Sequence, residues 1–284
     1  MCWIRRAILI LLAGTLAARG GNIGVDASAH TAWGENIGWA NAAPNRDGVL
    51  IHFDGSSGWL SGYAWCENVG WIKLGAGTGP YPNTGAADWG VNLDGAGVLS
   101  GYAWGENIGW VKFDPASGGV TVNFASGALA GHAWGENVGW LRFSGAAPDY
   151  GVRTLAFDAQ AWGTPNWWLD HYGVNETYDE GDGEPAWREY VADTDPNDAG
   201  SYLRIVAVSD APVAPSVAFW PASTRRYYTL SSRPSLQSGA WGDVAGQSGI
   251  QGAGGQQVLR DGSGATHGSP APQMFYRMKV SVSP

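Results

Sequence analysis

An eight-residue motif occurs four times in the first half of the chain, and a repeat of this kind limits the fold to units that stack or close on one another. The copies are AWGENIGW from Ala32, AWCENVGW from Ala64, AWGENIGW from Ala103 and AWGENVGW from Ala133. Their first tryptophans, Trp33, Trp65, Trp104 and Trp134, are 32, 39 and 30 residues apart. Three copies extend backward as LSGYAW, LSGYAW and LAGHAW, and forward as GWIKL, GWVKF and GWLRF. The first copy runs on as GWANA, so its flank is not expected to be a regular strand. A second unit alternates with the motif: GVLIHF from Gly48, GVNL from Gly90, GVTVNF from Gly119 and GVRTLAF from Gly151. The turn pairs Asp54-Gly55, Asp94-Gly95 and Ser126-Gly127 follow the first three.

Each motif reads as a β-hairpin. In the second copy, Cys66-Glu67-Asn68 is the turn. Counting by two puts Leu60, Gly62, Ala64, Gly70, Ile72 and Leu74 on the core side, with Tyr63, Trp65, Val69, Trp71 and Lys73 opposite. Asn36, Asn68, Asn107 and Asn137 are expected to take a left-handed conformation. Cys66 stands where the other copies have Gly34, Gly105 and Gly135, so that position is not an obligatory left-handed one. The expected fold is all-β: a four-unit hairpin domain over 21–162, either a closed ring or a stack, with Gly151–Phe157 able to complete the first unit.

Around the repeats, Met1–Arg6 is basic and Ala7–Ala17 apolar, followed by small residues. Residues 1–18 therefore read as a secretory signal, with a short membrane anchor as the alternative. Removing it takes Cys2 away and leaves Cys66 as a lone thiol, so no internal disulfide is expected. After Trp162 the pattern changes. Thr164 reads as a helix cap with Pro165 in the first turn, and Gly173 as the stop. Trp187, Tyr190 and Val191 give a second short helix. Residues 163–200 thus form a helix-loop-helix linker. The net charge of the chain is −9, and Asp170–Asp198, with ten acids and one arginine, carries that imbalance alone. No basic patch suits nucleic acid. Residues 201–284 hold short strands separated by Gly, Ser and Pro, and suit a small antiparallel sandwich.

The acidic loop invites comparison with a Ca²⁺ loop. With Glu189 as the twelfth, bidentate position, Gly183 falls on the sixth, Asp182 on the fifth and Glu180 on the third. Tyr178 occupies the first, where Asp179 would have to shift in, and Asp193 or Asp195 would add ligands from beyond. A working Ca²⁺ site and a vestigial loop both stay open.

The LSGYAWGENIGWVKF-type repeats resemble those of secreted bacterial proteins of unassigned function. The run WWLDHYG…GDGEPAWREYVADTDP resembles the calcium-loop linkers of bacterial surface proteins, related to thrombospondin type 3 and dockerin loops. The tail, VAFWPASTRRYYTLSSRPSLQSGAW…QMFYRMKVS, is similar to fibronectin-type-III-like closing modules. The resemblance implies a secreted or cell-surface protein and names no ligand.

Glu35, Glu67, Glu106 and Glu136 recur in identical settings, whereas acid-base catalysis needs groups in differing ones. His30, His52, His132, His171 and His267 lack metal-ligand spacing, and no nucleophile or phosphate-loop motif occurs. The chain is therefore expected to be a non-catalytic structural or adhesive module at the cell surface or outside the cell, engaging a surface polymer or other cells, with no membrane span once the signal is removed. The alternative is a carbohydrate-binding module using Tyr63, Trp65, Trp71, Tyr102, Trp104, Trp110, Trp134 and Trp140 as an aromatic face. The expected reading is that the tryptophans are staples of the sheet, each pair touching across its own hairpin and mostly buried. Standing exposed, they would be a platform.

Overall fold

Strands built from the alternation of small and large residues close on one another in the computed structural model, which describes residues 20–44, 48–211, 214–262 and 274–284. The expected signal sequence and Cys2 lie outside the described residues. The repeat region forms β1 (Val25–Gly34), β2 (Gly38–Asn41), β3 (Leu50–Phe53), β4 (Gly58–Ser61), β5 (Tyr63–Cys66), β6 (Gly70–Lys73), β7 (Val91–Leu93), β8 (Val98–Gly105), β9 (Gly109–Lys112), β10 (Gly119–Val122), β11 (Ala128–Gly135), β12 (Gly139–Arg142), β13 (Ser144–Ala146) and β14 (Asp149–Thr154).

The motif hairpins are β1–β2, β5–β6, β8–β9 and β11–β12. They join through β2–β5, β6–β8, β9–β11 and, closing the ring, β12–β1. The result is a closed antiparallel barrel of eight strands, so the ring, not the stack, is formed. The GV strands make a second storey, three of the four wedged between strands of two units: β7 between β4 and β8, β10 between β8 and β11, β14 between β11 and β1. β3 pairs with β4 and reaches the start of the first unit through the Gly24–Leu50 bridge and the Ile51 N–H donated to Ile23 O at 3.0 Å. As expected, the last GV strand completes the first unit, with Val152 opposite His30. The long strands bend where the storeys meet, at Gly62, Gly101 and Gly131, with φ of 83°, 92° and 92°. A Cβ on Gly101 or Gly131 would also strike the carbonyl oxygen of Gly90 or Gly119, so two backbones meet there as only glycine allows.

The motif supplies the barrel's filling. Ala32, Ala64, Ala103 and Ala133 face inward, across their ladders from Ala40, Ile72, Val111 and Leu141. Alternating small and large residues is how a narrow barrel fills its taper. Ile37, Val69, Ile108 and Val138 plug the turn end. Val69, expected on the outer stripe, is half-buried: it packs against this core and also lines the groove on the outer wall, because a turn interrupts the two-residue alternation. At the other end Phe53, Phe124 and Phe157 pack together with Trp167, ring centroids 4.7–5.6 Å apart.

The turns differ from expectation. The left-handed residues are Gly38, Gly70, Gly109 and Gly139, at φ 74–84°, and none of the four asparagines has positive φ. The asparagines bind the neighbouring unit instead. Asn68 Nδ2 donates to Ile37 O, Asn107 to Val69 O, Asn137 to Ile108 O and Asn36 to Val138 O, at 2.9–3.1 Å. The four bonds run head to tail around the rim. Beside two of them the fit is tight as well, since a Cβ on Gly38 or Gly109 would lie 3.0 or 3.2 Å from the asparagine Nδ2. Cys66 is a buried free thiol whose Sγ lies 2.9 Å from Ile37 O, and it has no left-handed backbone, as its place in the motif required. The flank of the first motif is a regular strand after all: Thr31–Gly34 pair with Gly38–Asn41 residue for residue, because neighbouring β5 supplies a partner on its other side.

Beyond β14 come α1 (Asn166–Tyr172) and α2 (Ala186–Ala192), then β15 (Arg204–Ser209), β16 (Ser216–Trp220), β17 (Tyr227–Arg233), β18 (Gly242–Asp243), β19 (Ile250–Gln251), β20 (Gln257–Arg260) and β21 (Phe275–Ser281). These last strands form two sheets, β15-β16-β20 and a second one in which β17 pairs with β18, β19 and β21. Val217, Phe219 and Leu259 of the first sheet share a core with Tyr228 and Leu230 of the second. Gly173 ends α1 in the left-handed conformation. Thr164 is not its cap: Pro165 holds that place without a side-chain bond, while the Thr164 N–H is taken by Glu176 Oε1 at 3.1 Å.

The asparagine ring makes the barrel's closure testable. Asn107→Ala is expected to destabilise the protein by about 1 kcal/mol, the net worth of one such hydrogen bond. Urea denaturation beside wild type measures it, and an unchanged midpoint would show that the rim bonds contribute nothing.

Candidate functional site

Because alanines fill the barrel, the motif tryptophans stand outside it. Trp33 and Trp39, Trp65 and Trp71, Trp104 and Trp110, and Trp134 and Trp140 lie directly opposite one another in their ladders. Each pair meets edge to face, with centroids 4.6–4.8 Å apart and planes at 61–67°. This is the favourable geometry for two aromatic quadrupoles. The pairs are therefore formed as staples, but they are not mostly buried. Trp33, Trp39, Trp65, Trp71, Trp134 and Trp140 keep 36–46% of their surface in solvent, while Trp104 and Trp110 are half-buried.

A second outer row flanks the tryptophans. Tyr63 lies opposite Lys73, Tyr102 opposite Lys112 and His132 opposite Arg142. Across three of the four seams between hairpins the same cation meets the next tryptophan, Lys73 opposite Trp104, Lys112 opposite Trp134 and Arg142 opposite Trp33, while at the fourth Asn41 lies opposite Trp65. The outcome is a girdle of indoles interleaved with phenols and cations. At the seam of the second and third hairpins it opens into a groove of about 740 Å³ lined by Tyr63, Trp71, Lys73, Trp104, Glu106 and Asn107. Such a volume lies within the range of small-molecule sites. Lys73, Lys112 and Arg142 were visible as the forward extensions of the motif, but only the ring's closure puts them beside the neighbouring unit's indole.

The second candidate is the acidic loop. Asp179, Glu180 and Asp182 bring carboxylate oxygens within 4.8 Å of one another, a group that could hold a metal ion. Asp179 Oδ1 accepts the N–H groups of Gly181 and Gly183 at 2.7 and 3.2 Å, which folds the loop so that Asp179 joins the cluster. Tyr178, at the nominal first position, packs with the helices instead. Glu189 comes up from α2, with 1% of its surface exposed, and Oε1 accepts from Thr194 Oγ1 at 3.2 Å. Both Glu180 oxygens, Asp182 Oδ2 and Glu189 Oε2 are buried without a donor among the described residues. Buried oxygens of this kind are costly when left unmatched, and an all-oxygen set suits a hard divalent cation. Burial, then the negative charge of Glu180, pushes the Glu189 carboxyl up to about 8. Burial, with Asp182 and Asp179 adding to it, raises Glu180 as well. Asp193 is turned away from the cluster: Arg225 Nη2 donates to it at 2.7 Å and Ser223 Oγ also binds it. Asp195 is exposed and accepts the Asn197 N–H at 3.0 Å.

Elsewhere, Ser61 Oγ, His52 and Asp170 form a hydrogen-bonded chain of 3.0 and 3.3 Å. Ser61 lies in a regular ladder, and His52 is stacked on Trp59 at 4.9 Å. The chain ties α1 to the barrel wall. Glu35, Glu67, Glu106 and Glu136 stand exposed, one on each turn.

Two expectations follow. Trp134→Ala should lower stability by about 1–2 kcal/mol, the loss of one aromatic pair and part of its buried area. That is well short of the ~3–5 kcal/mol of a fully buried tryptophan, and a denaturant melt separates the two. For the acidic loop, Glu189 keeps its proton in the folded chain up to about 8, against an ordinary value of 4.5. Between those values the folded state holds the extra proton, so stability is greatest below the ordinary value and falls as pH rises toward 8. In EDTA the melting temperature should therefore be lower at pH 8 than at pH 5, and a divalent cation should restore it. Equal melts with and without cation at pH 8 would mean that the loop binds none.

No protein-family model matches the chain, and neither does any curated protein or solved structure; its function has to be read from these two sites.

Proposed function

We propose that this chain is an exported, non-catalytic adhesive module of the cell surface or extracellular space, and that the aromatic girdle is its contact surface, directed at a polysaccharide. The observation that carries the reading is the exposure of the paired tryptophans on a barrel whose core is complete without them. An indole presents a broad apolar face to the C–H groups of a sugar ring, and the neighbouring Lys, Arg, Tyr and Asn side chains offer donors and acceptors to its hydroxyls. Pairing each tryptophan with its hairpin partner holds the rings in place before contact, which lowers the entropy lost on binding. The absence of enzymatic activity is supported by the repetition of Glu35, Glu67, Glu106 and Glu136 in equivalent exposed turns, where none is set apart as acid or base.

In this reading the loop between α1 and α2 binds Ca²⁺ through Asp179, Glu180, Asp182 and Glu189. Calcium accepts irregular sets of six to eight oxygens, whereas magnesium demands a near-ideal octahedron. The ion would order the segment that joins the barrel to the terminal sheets, and Asp193, held by Arg225, would carry that order onward.

A polysaccharide array probed with the mature chain in Ca²⁺ tests the proposal. Binding to at least one hydroxyl-rich polymer is expected, accompanied by a change in tryptophan fluorescence. Silence across the array, with no change in fluorescence, would remove the girdle as a glycan-contact surface.

A further inference from the structure

The four motifs are nearly identical in sequence, yet the seams between their hairpins are not equivalent in the structure. Each seam places the residue two after the second tryptophan of one hairpin opposite the first tryptophan of the next: Asn41 opposite Trp65, Lys73 opposite Trp104, Lys112 opposite Trp134, and Arg142 opposite Trp33. Three of these second tryptophans are approached from outside their own hairpin. Tyr150 stands edge-on to Trp39 at 5.0 Å and 81°. Trp89 covers Trp110 at 5.2 Å and 81°. The backbone of Gly118 lies against Trp140, so close that a Cβ there would be 3.1 Å from Cζ3. Trp71 differs: its ring partners, Trp65 and Tyr63, both belong to its own hairpin. It is also the most exposed of the motif tryptophans at 46%, and it forms one wall of the 740 Å³ groove.

We propose that this seam is a single subsite for one neutral pyranose unit of a polysaccharide chain, with Trp71 as its stacking platform and Lys73, Glu106 and Asn107 as its hydroxyl-binding groups. The inference rests on the glycan-contact reading given above and narrows it to one place. Lys73 supplies a cationic donor, Glu106 an anionic acceptor and Asn107 an amide. Lys73 and Glu106 oppose each other in sign within one groove, which favours a neutral polyhydroxylated ligand over a uronate. A peptide that binds by adding a strand needs an unpaired edge, and the seam has none, because β6 and β8 are bonded to each other and to their own hairpins. An anionic lipid surface would meet Glu35, Glu67, Glu106 and Glu136 on the turns at the same end.

The test compares Trp71→Ala with Trp39→Ala in the mature chain, since the two residues hold the same motif position, while Trp39 has Tyr150 against its ring and Asn41, not a lysine, two residues on. Affinity electrophoresis through gels containing hydroxyethyl cellulose, xylan or galactomannan, with polygalacturonate as the acidic control, reads the affinity. Retardation by at least one neutral polymer is expected. Trp71→Ala should weaken it by about 10-fold or more, the effect of losing a central aromatic anchor, and Trp39→Ala should change it less than about two-fold by the same scale. Melts of both variants control for folding. Should Trp71→Ala melt early, Lys73→Ala in the same groove replaces it, with a loss of retardation again expected. Retardation that survives both changes, or that falls as far in Trp39→Ala, would overturn the single subsite while leaving the girdle as the contact surface. Retardation by polygalacturonate alone would overturn the neutral ligand. A wild-type chain retarded by none of the polymers would refute the glycan-contact reading itself.

Discussion

Each hairpin turn in the barrel is completed by its neighbour, and the rest of the repeat region depends on that. The asparagine of one turn reaches the carbonyl oxygen of the unit before it, at 2.9–3.1 Å, four times around the rim. A lone unit would expose an apolar inner face and two strand edges, so the units are stable only in company. Closing the ring removes both liabilities together. It also explains the motif residue by residue: alanine to let strands pack across a narrow interior, asparagine to reach the neighbour, glycine to turn left-handed where that asparagine passes, and isoleucine or valine to plug the end.

Closure from small residues leaves the largest side chains outside. In an open sandwich a row of tryptophans would be expected to face a second sheet. Here the interior is already lined with small and aliphatic residues, with Ala32, Ala103 and Ala133 and the residues opposite them buried. The indoles pair edge to face on the outer wall, where they stiffen the hairpins and present apolar area to solvent. Pairing fixes the rings, while exposure leaves part of each indole in solvent.

The segment after the barrel joins its parts through specific contacts and not through breadth of interface. Trp167 of α1 enters the phenylalanine cluster at the barrel's closed end, and Asp170 meets His52 on the wall. On the far side, Arg226 donates to the carbonyl oxygens of Tyr190 and Val191 at the end of α2, while Arg225 grips Asp193. The acidic loop lies between these two anchorages. Asp179, Glu180 and Asp182 gather their carboxylate oxygens there within 4.8 Å of one another.

Much of this was legible in the residues. The fourfold motif, its two-residue alternation and the turn between its tryptophans specified all-β hairpins; Leu60, Ile72 and Leu74 were correctly assigned to the core, and the acidic run between two short helices was visible in the chain. These features are local, set by backbone geometry and side-chain period over a few residues. What needed the tertiary structure was whatever depends on the neighbouring unit: that the ring closes through β12 and β1, that Asn36 and its equivalents bond across the seam instead of turning left-handed, that Val69 packs against the core, and that the GWAN flank of the first copy is a strand. The inequivalence of the four seams is the clearest case. Trp39, Trp71, Trp110 and Trp140 occupy the same motif position, and no count along the chain distinguishes them. Tyr150 of β14 and Trp89 and Gly118 of the connecting loops come up against three of them, because the fold, and not the motif, decides which surfaces come within a few ångströms of each other.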